Sequence, residues 1–177
     1  FNDTATTEIY TRVSSAASDV YKRQVFTVSG PNGNRELTSE DFFVLPITNP
    51  ERENSLVEGE LLTGVRIPAV SANTVSTYYK VMDRQAWTHA EVGVATVIQR
   101  NGNQVQNASI VLAGVAPIPW RVQAVEDFLT GKQIGEAMAR EAGQLAVEDA
   151  QPLANNAHKS PMTAAAIERA VLSLAAG

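Results

Sequence analysis

A chain of 177 residues with 44% apolar side chains is long enough for one ordinary domain, or one and a half small ones, around a packed core. Its formal charge of −5 comes without any cluster of Lys and Arg, which argues against nucleic acid or an anionic membrane surface as partner. The lack of cysteine excludes disulfides, thiolate metal sites, cysteine-ligated iron-sulfur clusters and a cysteine nucleophile.

Residues 1–24 are polar, rich in Ser, Thr and Ala, and lack both helical and strand periodicity. The string from Val13 to Gln24 resembles a read-through of library adapter sequence, so this segment is expected to be either non-native or a disordered tail. Order begins at Val25. Val25-Phe-Thr-Val-Ser29 alternates like a strand, and Gly30-Pro-Asn-Gly33 supplies turn chemistry before Arg35-Glu-Leu37, which predicts a hairpin. The polar run 49–55 reads as a loop, and residues 61–67 form a strand candidate ended by Pro68.

Three further strands are predicted over 77–82, 92–100 and 108–115, with the last two joined through Asn101-Gly102; they are expected to form a three-stranded antiparallel sheet. After Pro117 and Pro119 the periodicity turns helical. Val122, Val125, Phe128 and Leu129 fall on one stripe, and Gly131 is placed to stop the helix. A second helix is predicted over 134–149. A third runs to about residue 174, with Ser160 as N-cap and Pro161 in the first helical position. Strands first and helices after predict an α+β fold rather than a doubly wound sheet. No apolar run approaches the roughly 20 residues of a membrane span, and no signal-peptide pattern opens the chain, so it reads as soluble.

Chemistry that needs no cofactor finds little support. His89 and His158, the only histidines, lack a spacing that would place metal ligands on one face. Ser76, Thr88 and Ser160 sit in no nucleophile elbow, and neither a Gly-x-Gly-x-x-Gly nor a Walker loop is present.

Three ordered strings carry a resemblance instead. Glu58-Gly-Glu-Leu-Leu-Thr-Gly-Val-Arg-Ile-Pro68, Tyr78-Tyr-Lys-Val-Met-Asp-Arg84 and Ala113-Gly-Val-Ala-Pro-Ile-Pro-Trp-Arg121, the last trailed by Glu126 and Leu129, are similar to motifs of the FAD-binding subunit of the molybdenum hydroxylases. That group contains xanthine, aldehyde and carbon monoxide dehydrogenases. Residues 45–52 and Asn156-Ala-His-Lys159 look closest to its aldehyde-oxidoreductase branch. The resemblance covers about 25–174 and implies FAD as cofactor, with an iron-sulfur subunit and a molybdopterin subunit as partners. It implies residues 25–70 as the end of a flavin domain and 74–177 as a C-terminal domain.

Carried over residue by residue, it places Leu62 against the flavin ring as an apolar wall, Lys80 beside the ring as a cation, and Arg84 in a loop close by. The acidic pair that some members carry after this arginine is replaced here by Trp87-Thr88. Taken without the family, Leu62 reads as an ordinary core residue and Lys80 as a solvated charge. Gly114, Pro117, Pro119, Trp120 and Arg121 read as structural, and no catalytic or metal-binding residue is assigned. The family's pyrophosphate-binding turns lie upstream of the matched strings, so this chain is expected to hold FAD poorly alone. The alternative is a non-catalytic module that docks partner subunits.

Overall fold

The computed structural model describes residues 24–69, 71–84 and 89–175, so the expectations for 1–24 and for Trp87-Thr88 fall outside the described residues, Gln24 excepted. The predicted hairpin forms: β1 (Val25–Gly30) pairs antiparallel with β2 (Gly33–Thr38), closing on Gly30 opposite Gly33 around Pro31-Asn32. Gly33 takes a φ of 105°, which a side chain would resist. Thr38 caps the short helix α1 (Ser39–Phe42), its Oγ1 accepting the Asp41 amide at 3.2 Å. β3 (Leu61–Arg66) joins the other edge of β1, giving the order β2-β1-β3. Alternation along β1 turns Phe26 and Val28 inward. There Phe26 stacks on Phe42 at 4.4 Å, with Phe43 edge-on to both rings.

This small unit is tied by Arg35. Its Nε and Nη2 each donate to a Glu60 carboxylate oxygen at 2.8 Å, and Nη2 also reaches the Ser55 carbonyl. Glu60 accepts the Val57 amide as well. The Arg35 bonds, and then the Val57 amide, hold the Glu60 carboxyl below its ordinary value. A depressed carboxylate contributes stability above its unfolded pKa of about 4.3 and loses it as pH falls through the folded value. The melting temperature should therefore fall further in wild type than in Glu60→Gln when pH is taken from about 6 to about 3. Equal slopes would show that this carboxylate is not linked to folding.

The larger unit is a second antiparallel sheet of order β4-β5-β6-β7, comprising β4 (Thr74–Val81), β5 (Val92–Asn101), β6 (Gln104–Ala113) and β7 (Trp120–Arg121). It has one strand more than the sequence predicts, because a two-residue strand after Pro119 has no room to show alternation. The β5–β6 turn also falls one residue later than predicted. Asn101 pairs with Gln104, so the loop is Gly102-Asn103, with Gly102 at a φ of 58° and a register shift after Gln99 taking up the difference.

Helices α2 (Gln123–Leu129), α3 (Glu136–Leu145) and α4 (Lys159–Leu172) cover one face of this sheet. Val94, Ile98 and Ile110 meet Val125, Leu129 and Ile167 in the core. Gly131, at a φ of 83°, follows α2 as predicted. α3 is shorter than predicted and gives way to turns after Leu145. Ser160 is not the cap of α4. The chain already turns through residues 154–158, so the helix starts at Lys159 with His158 before it, and Pro161 sits in the first turn, where its missing N–H costs nothing. Lys159 donates through Nζ to the carbonyls of Glu91 (3.1 Å) and Gly114 (2.8 Å), tying the start of α4 to the sheet. The fold is α+β and, apart from the four-residue α1, its strands precede its helices, as the sequence predicts.

Candidate functional site

β4 is the edge strand of its sheet, and its alternation decides what each side chain meets. Val75, Tyr79 and Val81 pack against the core under α4, while Tyr78 points to the other face. Tyr78 lies across that face over Gly93, the β5 partner of Lys80, where a Cβ would lie 3.0 Å from the phenol ring and closer still to its hydroxyl. Burial raises the pKa of the Tyr78 phenol.

At its carboxyl end β4 runs beside α4, and the two bound a cleft of about 460 Å³. Lys80, Met82 and Arg84 line it from one side and Met162, Ala165 and Arg169 from the other, with Tyr79 between. Arg169 donates through Nη1 to the Tyr79 hydroxyl at 2.9 Å, and this bond is the main reason its guanidinium stays above its ordinary pKa. Positions 162, 165 and 169 share one face of α4 at helical spacing.

The sequence-predicted residues divide here. Lys80 and Arg84 come together in this cleft; Leu62 does not join them. It sits on β3 in the other sheet, opposite Val28, 43% exposed beside the exposed Leu61 and Val65. Tyr79 and Arg169 are members of the cleft that sequence reasoning missed. Only the periodicity of α4 hinted at Arg169, and that face could not be matched to β4 without the fold.

The Pro119-Trp-Arg121 string has an architectural place. Arg121 grips the carboxylate of Glu126, with Nη2 at 2.7 Å and Nε at 3.0 and 3.1 Å from its oxygens. Glu126, only 2% exposed, also accepts the Ile110 amide at 2.9 Å, so one carboxylate pins β6, β7 and α2. Arg121 reaches Glu40 of α1 at 3.5 Å beside a second cleft, of about 410 Å³, between the two sheets. Among the described residues no group of three or more His, Cys, Asp or Glu is placed to hold a metal ion, and no helix is long and apolar enough to cross a membrane.

Comparison with known proteins gives this arrangement its context. Residues 77–174 match the family described as CO dehydrogenase flavoprotein C-terminal domain. The aldehyde oxidoreductase FAD-binding subunit PaoB of Escherichia coli (strain K12) is 34% identical over 106 residues, 60% of this chain and 32% of that protein. The carbon monoxide dehydrogenase medium chain of Hydrogenophaga pseudoflava is 29% identical over 150 residues, 82% of this chain and 50% of that one. A solved structure of the Hydrogenophaga pseudoflava carbon monoxide dehydrogenase lacking the Mo-pyranopterin moiety of its cofactor shares the fold with a TM-score of 0.77. It is 28% identical and is matched over 88% of this chain and 53% of its own. The chain thus spans half or less of the curated relatives it matches. With more than half of its length inside the matched region, the chain belongs to the CO dehydrogenase flavoprotein C-terminal domain family.

Proposed function

We propose that the chain is the carboxyl-terminal part of the FAD-binding subunit of a molybdenum hydroxylase of the xanthine or aldehyde dehydrogenase type. Electrons taken from an organic substrate in a molybdopterin subunit would pass through an iron-sulfur subunit and FAD to an acceptor. Residues 25–70 would complete the flavin domain and 74–177 form the C-terminal domain. The observation that carries the reading is the meeting of Lys80 and Arg84 in one cleft of a chain of this family. FAD, when bound, supplies a ring that takes up and releases electrons.

Its fit to the residues present is partial. Lys80 and Arg84 offer cationic donors at the cleft, and Leu62 offers an exposed apolar surface, but on a different sheet. Lys80 would place a positive charge beside the ring and so favour its more negative, reduced state. Leu62 would shield one face of the ring from water. A subunit-docking role is the second reading. It is favoured by the separation of Leu62 from the cleft and by the exposed row of Leu61, Val65 and Ile67 beside it.

The test joins residues 25–177 to the amino-terminal half of the Hydrogenophaga medium chain. In that chimera Lys80→Met should lower the flavin's reduction potential by some tens of millivolts, the equivalent of about 1–3 kcal/mol for a two-electron couple. Leu62→Ala should instead loosen FAD with a smaller change in potential. An unchanged potential in Lys80→Met would leave the residue a surface lysine and the docking reading in its place.

A further inference from the structure

The cleft between β4 and α4 is electrostatically unlike the rest of the molecule. The chain carries a net −5, yet the charged residues lining the cleft are Lys80, Arg84, Arg169 and Asp83, three positive and one negative. Outside the lining, Glu168 adds a negative charge close to Arg169 and lies 3.8 Å from Arg140. Within the cleft, the Nη1 of Arg169 is committed to Tyr79. That bond fills a lone pair of the phenol oxygen and leaves its proton free to be donated. Among the described residues, neither the Tyr79 O–H nor any other N–H of Arg169 has a hydrogen-bond acceptor. Donors with spare capacity therefore line a concave site that also carries Lys80 and Arg84, with Met162 and Ala165 as an apolar wall. A cleft with an excess of one sign of charge concentrates the opposite ion, and guanidinium donors match the fork of a phosphate.

We infer that this cleft binds a phosphate group, free or carried as an ester, held by Arg169 and Tyr79 from opposite sides of the α4–β4 seam. The inference goes beyond the flavin reading, because Arg169 and Tyr79 play no part in that reading and the ligand can be offered without FAD.

The experiment is a titration of the isotope-labelled 177-residue chain by amide NMR at constant ionic strength, with inorganic phosphate in one arm and ADP in the other. Saturable shifts should centre on residues 79–84 and the facing turns of α4. A charge-assisted hydrogen bond supports a loss of about tenfold in affinity for Arg169→Gln. Tyr79→Phe should lose several-fold while keeping the ring that packs on the core. Arg66→Gln, the same charge change on β3, should bind as wild type does. Tighter binding of ADP than of phosphate would assign an esterified ligand, and equal or weaker binding a free anion. Shifts that do not saturate, shifts centred elsewhere, or an Arg66→Gln loss equal to that of Arg169→Gln would overturn the inference. Such a failure leaves the potential of the Lys80→Met chimera to judge the flavin reading separately.

Discussion

Glu126→Ala should lower the unfolding free energy by about 3 kcal/mol. The carboxylate is almost fully buried and serves three bonds from Arg121 and one from the Ile110 amide. Removing one partner of a buried ion pair costs about 3–5 kcal/mol because the other charge is left uncompensated. Here Arg121 retains 31% of its side-chain exposure and can recruit water and Glu40, which moderates that part. The Ile110 amide has no such recourse, and an orphaned buried donor adds about 1–3 kcal/mol. Glu126→Gln keeps an acceptor for the amide but loses the charge, and should fall between alanine and wild type. Urea denaturation of the three proteins measures this. A loss under about 1 kcal/mol for alanine would show that the pair is matched by hydration when broken.

Gly143→Ala should destabilise the chain by about 2 kcal/mol, although alanine is the better helix former by about 1 kcal/mol. Gly143 is buried where α3 crosses α4, and a Cβ there would lie 3.0 Å from the backbone carbonyl carbon of Ala164 and closer still to its oxygen. Backbone cannot rotate aside as a side chain can. The helices must separate, and the small residues between them, Ala139, Ala142, Ala166 and Ala170, would lose contact together. Thermal melts give the sign directly. A variant as stable as wild type would mean that the crossing widens without strain.

What could be read from the sequence follows from how each element is specified. β5 and β6 are long and carry alternation and a glycine turn, so they were legible, with only the turn displaced when Gly102 rather than Asn101 opened the loop. β7 and α1 were not, because two and four residues fall below any period. Ser160-Pro161 looked like a helix start since both residues suit a first turn. The preceding turns, which carry no periodic signal, moved the start to Lys159. Lys80 and Arg84 entered through a motif, and their meeting in one cleft follows from that motif being the end of a single strand and its exit. Arg169 stayed hidden because its bond to Tyr79 spans 90 positions, which no local pattern encodes. Leu62 enters by resemblance alone, and its strand, β3, belongs to the first sheet rather than to the sheet of Lys80.

β3 has a consequence for how the isolated chain behaves in a tube. It is an outer strand of its sheet among the described residues, and Leu61, Leu62, Val65 and Ile67 are between 43% and 70% exposed along it and just beyond. A strand edge with open amides and carbonyls is a template for pairing with another chain, and sheets in monomeric proteins usually blunt such edges with charge, proline or a bulge. Here Arg66 and Pro68 guard the far end and a bulge at Thr63 breaks the strand's middle, while the Leu61-Leu62 end has neither charge nor proline. Pairing of one copy with another during concentration is therefore expected to start at this edge rather than by loss of the helical core.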